Sequence, residues 1–141
     1  MKSYTDIEQS KKLAEILPLE SADMRFCFSH RLDGRITGHY PMIGREPSLG
    51  TISCWSLAAL MSLLPSEFTI ENEFGKYKYE IKIRKYKLTD NVDIHQITYG
   101  NYRWHEDGSS SWSDMINSGE REELIDACYD MIISLHELKL L

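Results

Sequence analysis

Apolar positions in this chain recur first at helical spacing, then at strand spacing, and finally at helical spacing again. Ser10, Leu13, Ala14 and Leu17 follow Ile7 at intervals that put them on one helical face, and Pro18 ends the run. Thr5 and Glu8 have the Ser/Thr-x-x-Glu spacing of a capping box, which predicts a helix starting near Thr5. Met24, Phe26, Phe28 and Leu32 then alternate with Arg25, Cys27, Ser29 and Arg31, a strand pattern that puts His30 on the apolar side. Asp33-Gly34 reads as a tight turn. Gly38, Pro41, Gly44, Pro47 and Gly50 make residues 35–52 a predicted loop with at most a short extended piece. Ser53 is placed to cap a second helix, in which Trp55, Leu57, Ala58, Leu60, Met61, Leu63 and Leu64 cover nearly every face. A helix apolar all round belongs in a core.

The period then returns to two. Phe68 and Ile70 lead a strand toward Phe74, and the chain reverses around Gly75. Tyr77, Tyr79, Ile81 and Ile83 form one face of the next strand; Lys78, Glu80, Lys82 and Arg84 form the other. Tyr86 and Leu88 switch parity, which predicts a bulge near Lys85. After a turn at Asp90-Asn91, residues 92–99 and 102–104 supply one or two further strands. The polar, Ser-rich stretch from Glu106 to Gly119 reads as a mobile loop carrying Trp112. Leu124, Cys128, Met131, Leu135 and Leu138, widened by Ile125 and Ile132, then make the stripe of a final helix over residues 120–139. Strands in a central block with helices before and after predict a single α+β domain. Its expected architecture is an antiparallel sheet of about four to five strands against about three helices.

Composition narrows the class without naming a reaction. The chain has 141 residues, 42% of them hydrophobic and 27% charged, which excludes a disordered or fibrous protein. The N-terminal stretch is polar where a signal peptide needs an apolar region, and no apolar run approaches the roughly 20 residues of a membrane span. A cytoplasmic protein with no membrane partner is the expectation. Cys27, Cys54 and Cys128 are odd in number and widely spaced, with no CxxC pair, so neither a disulfide framework nor a zinc clip is expected. His30, His39, His95, His105 and His136 show no metal-ligand spacing, and His105-Glu106-Asp107 reads as a solvated turn. No glycine-rich phosphate loop is present, and no cofactor or metal is expected.

Charge is the uneven feature. Residues 76–87 hold six basic groups against Glu80 alone, a net of +5 that leaves −11 for the remainder of a chain of formal charge −6. Lys78, Lys82 and Arg84 would project from one sheet face about 6.6 Å apart at successive positions. Such a row can track a phosphate backbone while Tyr86, Tyr102 or Trp104 stacks on bases. It also serves simply as a solvated face whose lysines guard an edge. Tyr99, Tyr102, Trp104 and Trp112 together have the composition of a protein-binding hot spot. Cys54, read at a helix start, and His95 are the only catalytic candidates, as a cysteine nucleophile and its base. Cys54-Trp55 after Ser53 is faintly similar to papain-like proteases, but the glycine-containing approach and the long downstream spacing of that family are missing. The ranking is a non-enzymatic protein-binding module first, a nucleic-acid-contacting protein second and a cysteine-dependent hydrolase last.

Three stretches add a resemblance: residues 8–24 (EQSKKLAEILPLESADM), 54–65 (CWSLAALMSLLP) and 124–141 (LIDACYDMIISLHELKLL). Together they resemble a family of short uncharacterised proteins of gut-dwelling bacteria, frequently encoded in prophage-like or other mobile regions. The resemblance implies a shared fold and a mobile-element context. It carries over no activity, cofactor or site residue.

Overall fold

The computed structural model describes residues 1–30, 32–44 and 51–141, and these form an α+β protein with three α-helices and two antiparallel sheets. The chain divides into two compact units, Met1–Ser62 and Leu63–Leu141. The expectations for the His30 side chain, Arg31, Pro47 and Gly50 fall outside the described residues.

In the first unit, helix α1 (Ile7–Ile16) precedes strands β1 (Met24–His30), β2 (Ile36–Ile43) and β3 (Ile52–Cys54). Strand β1 lies in the middle of the three, antiparallel to both neighbours. The capping box of α1 falls one residue later than the sequence suggests. Asp6 accepts from the Gln9 N–H at 2.9 Å, and the Gln9 side chain accepts from the Asp6 N–H at 3.1 Å. Thr5 is drawn inward instead. It is fully buried, donates its N–H to the Trp55 carbonyl at 2.9 Å, and accepts the Trp55 N–H on Oγ1 at 3.1 Å. That hydroxyl also meets Ser10 Oγ at 2.8 Å. Trp55, itself fully buried, donates its indole N–H to Ser21 Oγ at 3.0 Å.

Two expectations fail in this unit. Residues 35–52 contain the eight-residue strand β2 and the first residue of β3, where at most a short extended piece was expected. Pro41 is tolerated because β2 is an edge strand of its sheet. The second helix, α2 (Leu57–Leu63), starts later than Ser53, which lies in β3. Its cap is Ser56, whose Oγ accepts the Ala59 N–H at 3.1 Å. Asp23 holds Ser56 in place, accepting its N–H at 2.8 Å and its hydroxyl at 2.5 Å. Of the apolar residues on α2, Leu60 is fully buried while Leu57, Met61 and Leu63 are half-buried.

The second unit is a four-stranded meander in the order β4 (Glu67–Asn72), β5 (Gly75–Thr89), β6 (Val92–Trp104), β7 (Ser110–Asn117), followed by helix α3 (Leu124–Glu137). Helix α3 packs on β6 and buries Ile125, Cys128, Met131, Ile132 and Leu135 of the expected stripe. It starts four residues later than expected, and Leu138, also placed on the stripe, caps its end and is exposed. Ile97 and Tyr99 of β6 are fully buried, and Phe68 stacks at 5.0 Å from the Tyr99 ring. The Tyr99 hydroxyl donates to the Pro65 carbonyl at 2.5 Å, and burial raises its pKa. Gly75, at φ 135°, accommodates the reversal between β4 and β5.

Two further expectations are corrected here. The β5–β6 register runs unbroken through Lys85↔His95, and its shift falls between Lys87 and Thr89. Tyr86 therefore shares a face with Lys82 and Arg84. The Ser-rich stretch is a turn at residues 106–108 followed by strand β7, so Trp112 sits on a strand and not in a loop. An edge strand takes its order from the ladder it joins, and polar residues suit its solvated positions.

The Thr5 hydroxyl anchors the first unit, which gives a direct test. Thr5→Val leaves the buried Trp55 N–H without its acceptor and is expected to cost about 1–3 kcal/mol, while Thr5→Ser retains most of the stability. Urea unfolding of the two variants measures the difference.

Candidate functional site

Alternation along β5 and β6 sorts their side chains onto two faces. One face packs against α3. The other carries Lys78, Lys82 and Arg84 from β5, Tyr102 and Trp104 from β6, and Trp112 from β7. These six candidates thus lie on a single face of the sheet, though they do not act as one group, whereas Tyr99, grouped with the aromatics in the sequence, is fully buried on the other face.

At the centre, Lys82 Nζ lies over the Trp112 ring at 4.8 Å and the Tyr102 ring at 5.8 Å. The two rings meet edge to face at 5.2 Å, as their cross-strand pairing Tyr102↔Trp112 allows. Lys82 has no acidic partner among the described residues, and the ring faces supply the negative potential beneath its ammonium. Gly100 makes this cluster fit. It sits at a bulge where β7 carries the extra residue Met115, and a Cβ there would come within 2.9 Å of the Trp112 ring and closer still to the Ser113 carbonyl.

The other two cations are bound up with acids on the same face. Lys78 pairs with Glu67 at 2.5 Å and Glu80 at 3.7 Å, and the Glu67 hydrogen bond raises its pKa. Arg84 pairs with Asp114 at 3.3 Å and reaches the Gln96 side chain at 3.4 Å. Asp114 also accepts the Trp112 indole N–H. Exposed pairs of this kind stabilise little, but they remove the uniform positive row that the sequence suggested. At the far end of the face, Trp104 is 77% exposed and Tyr102 is 55% exposed.

The sequence missed the acids opposite its basic strand, because Glu67 and Asp114 join Lys78 and Arg84 only through the register of three strands. It also missed a hollow of about 580 Å³ walled by Phe74, Tyr77, Tyr79 and Tyr102, with Asn101 and Arg103 among its polar groups.

The catalytic candidates belong to different units. Cys54 closes β3, two residues before the Ser56 cap, and so has no helix terminus to activate it. Its fully buried thiol has Thr5 Oγ1 at 3.6 Å and the Thr5 carbonyl at 3.5 Å, and burial pushes its pKa up. Both effects oppose formation of the nucleophilic thiolate. His95 is in the second unit, where its Nδ1 meets the Glu122 carbonyl at 3.0 Å and its backbone pairs with Arg121. In the His105-Glu106-Asp107 turn, Asp107 accepts the Ser109 N–H at 2.9 Å and hydroxyl at 2.5 Å. Among the described residues, no group of three or more His, Cys, Asp and Glu could hold a metal ion, and no helix is long and apolar enough to cross a membrane.

No protein-family model, curated protein or solved structure matches the chain.

Beneath Lys82, Thr98 is fully buried, and its Oγ1 has no hydrogen-bond partner among the described residues. Thr98→Val keeps the shape and removes the unmet hydroxyl, so it is expected to stabilise the protein by about 1 kcal/mol. A fall in the thermal midpoint would mean that the hydroxyl is bonded in solution.

Proposed function

We propose that this protein is a non-enzymatic binding module, an accessory protein of a phage or mobile element. It docks another protein onto the aromatic end of its four-stranded sheet. The observation that carries this reading is the combination of exposed Trp104 and Tyr102 with cations that are already partnered: Lys78 by Glu67 and Glu80, and Arg84 by Asp114. A face whose charges cancel, with large aromatics exposed at its rim, suits a protein surface, where tryptophan and tyrosine dominate hot spots.

Nucleic acid is the second reading, favoured by Lys82 beside Tyr102 and Trp112, since a cation beside exposed rings also suits stacked bases. It ranks lower because phosphate tracking needs several uncommitted cations, and the chain as a whole is acidic at −6.

Pull-down of the tagged protein from host lysate, with and without nuclease, separates the two. The docking reading predicts a stoichiometric protein partner that survives nuclease. Trp104→Ala is expected to weaken recovery by about 30-fold, equivalent to about 2 kcal/mol, with the fold intact by circular dichroism. Lys78→Glu is expected to change recovery little. Recovery that collapses with nuclease, or that ignores Trp104→Ala, would overturn the reading.

A further inference from the structure

Strand β5 changes partner halfway along its length. It pairs with β4 from Gly75 to Glu80 and with β6 from Glu80 to Thr89. Beyond the Glu80↔Gly100 pair both strands continue, but the ladder between them ends. The β4–β5 hairpin runs on to Gly75 and the β6–β7 hairpin to Trp104. The hollow of about 580 Å³ lies between these two arms.

Backbone direction in the fork follows from one hydrogen bond. The Ile81 N–H donates to the Ser66 carbonyl at 3.1 Å, so odd-numbered residues of β5 turn their backbone groups toward β4 and even-numbered ones toward β6. Past Glu80, Lys76 and Lys78 therefore turn theirs into the fork. By the same alternation, Tyr102 and Trp104 continue the side of β6 that pairs through Gly100, and they present their N–H and C=O groups from the other arm. The β6 arm has no proline, lysine or bulge from Asn101 to Trp104, and Arg103 is its one charged residue.

We propose that this fork takes an extended peptide that adds as a strand to the β6 arm and alternates acidic with apolar side chains. The inference rests on the protein-docking reading and adds the form of the partner. The alternation follows from the arm itself. Tyr102 and Trp104 lie on one face and call for apolar side chains beside them. Arg103 lies on the other and, among the described residues, is the only charged one lining the hollow. It is opposite Ser111 in the ladder and has no ion pair among the described residues, whereas Lys76 faces Glu71. An acidic side chain from the bound strand would supply the missing partner for Arg103.

The test uses the isotopically labelled full chain, titrated with an octapeptide alternating valine and glutamate and followed by amide NMR. The expected result is saturable shifts and slowed hydrogen exchange at the Tyr102 and Trp104 amides. The valine–lysine counterpart should bind at least about tenfold more weakly. Arg103→Glu should reverse that order, and N-methylation of alternate peptide amides should abolish binding. Absence of saturable shifts at these amides, an unchanged peptide order in Arg103→Glu, or shifts produced only by a short oligothymidine would overturn the proposal. If the peptides fail while Trp104→Ala still removes the partner in the pull-down, the fork is rejected and docking on the sheet face stands.

Discussion

Strand β5 is fifteen residues long and serves two partners in succession, with Glu80 the one residue paired to both. That stagger governs the second unit. It sets β4 beside the first half of β5 and β6 beside the second half. It brings Phe68 over Tyr99 and leaves the buried side chains of α3 to cover the β6 region of the same face. On the other face it brings Glu67 to Lys78 and, through β6 and β7, Asp114 to Arg84. The exposed aromatics and the fork both lie where the two hairpins part.

The first unit depends on a different economy of polar groups. Its interior contains Thr5, Ser10 and the indole N–H of Trp55, each with a hydrogen-bond partner. A buried donor left unmet costs more than the bond itself stabilises, so these residues tie the segment before α1 to the segment before α2. Cys54 sits inside this network. Its raised thiol pKa and its fully buried position are consequences of that role, which leaves little room for nucleophilic chemistry.

Much of this was legible in the sequence. The period-two pattern of residues 77–84 gave the two faces of β5 and put Lys78, Lys82 and Arg84 on one of them, whereas the register of β6 and β7 brings Tyr102, Trp104 and Trp112 to the same face. The stripe from Leu124 to Leu135 gave α3. What escaped was set by long-range pairing. Strand β2, with Gly38 and Pro41, and strand β7, with its serines, have loop-like compositions and are strands because a neighbour supplies the ladder. Thr5 has the spacing of a cap, but its hydroxyl is claimed by Trp55, about fifty positions away. The partnering of the basic strand and the opening of the fork depend on register, which no local pattern encodes.

Residue-resolved hydrogen exchange of the free protein tests the partner switch most directly, because it compares equivalent positions on either side of Glu80. Lys82, Arg84, Thr98 and Gly100 should be protected by the β5–β6 ladder. Lys76, Lys78, Tyr102 and Trp104, of the same parity but in the fork, should exchange at least about a hundredfold faster. Equal protection on both sides would show that β5 and β6 pair along their whole length. The fork would then not exist, and the account of the sheet built on it would be wrong.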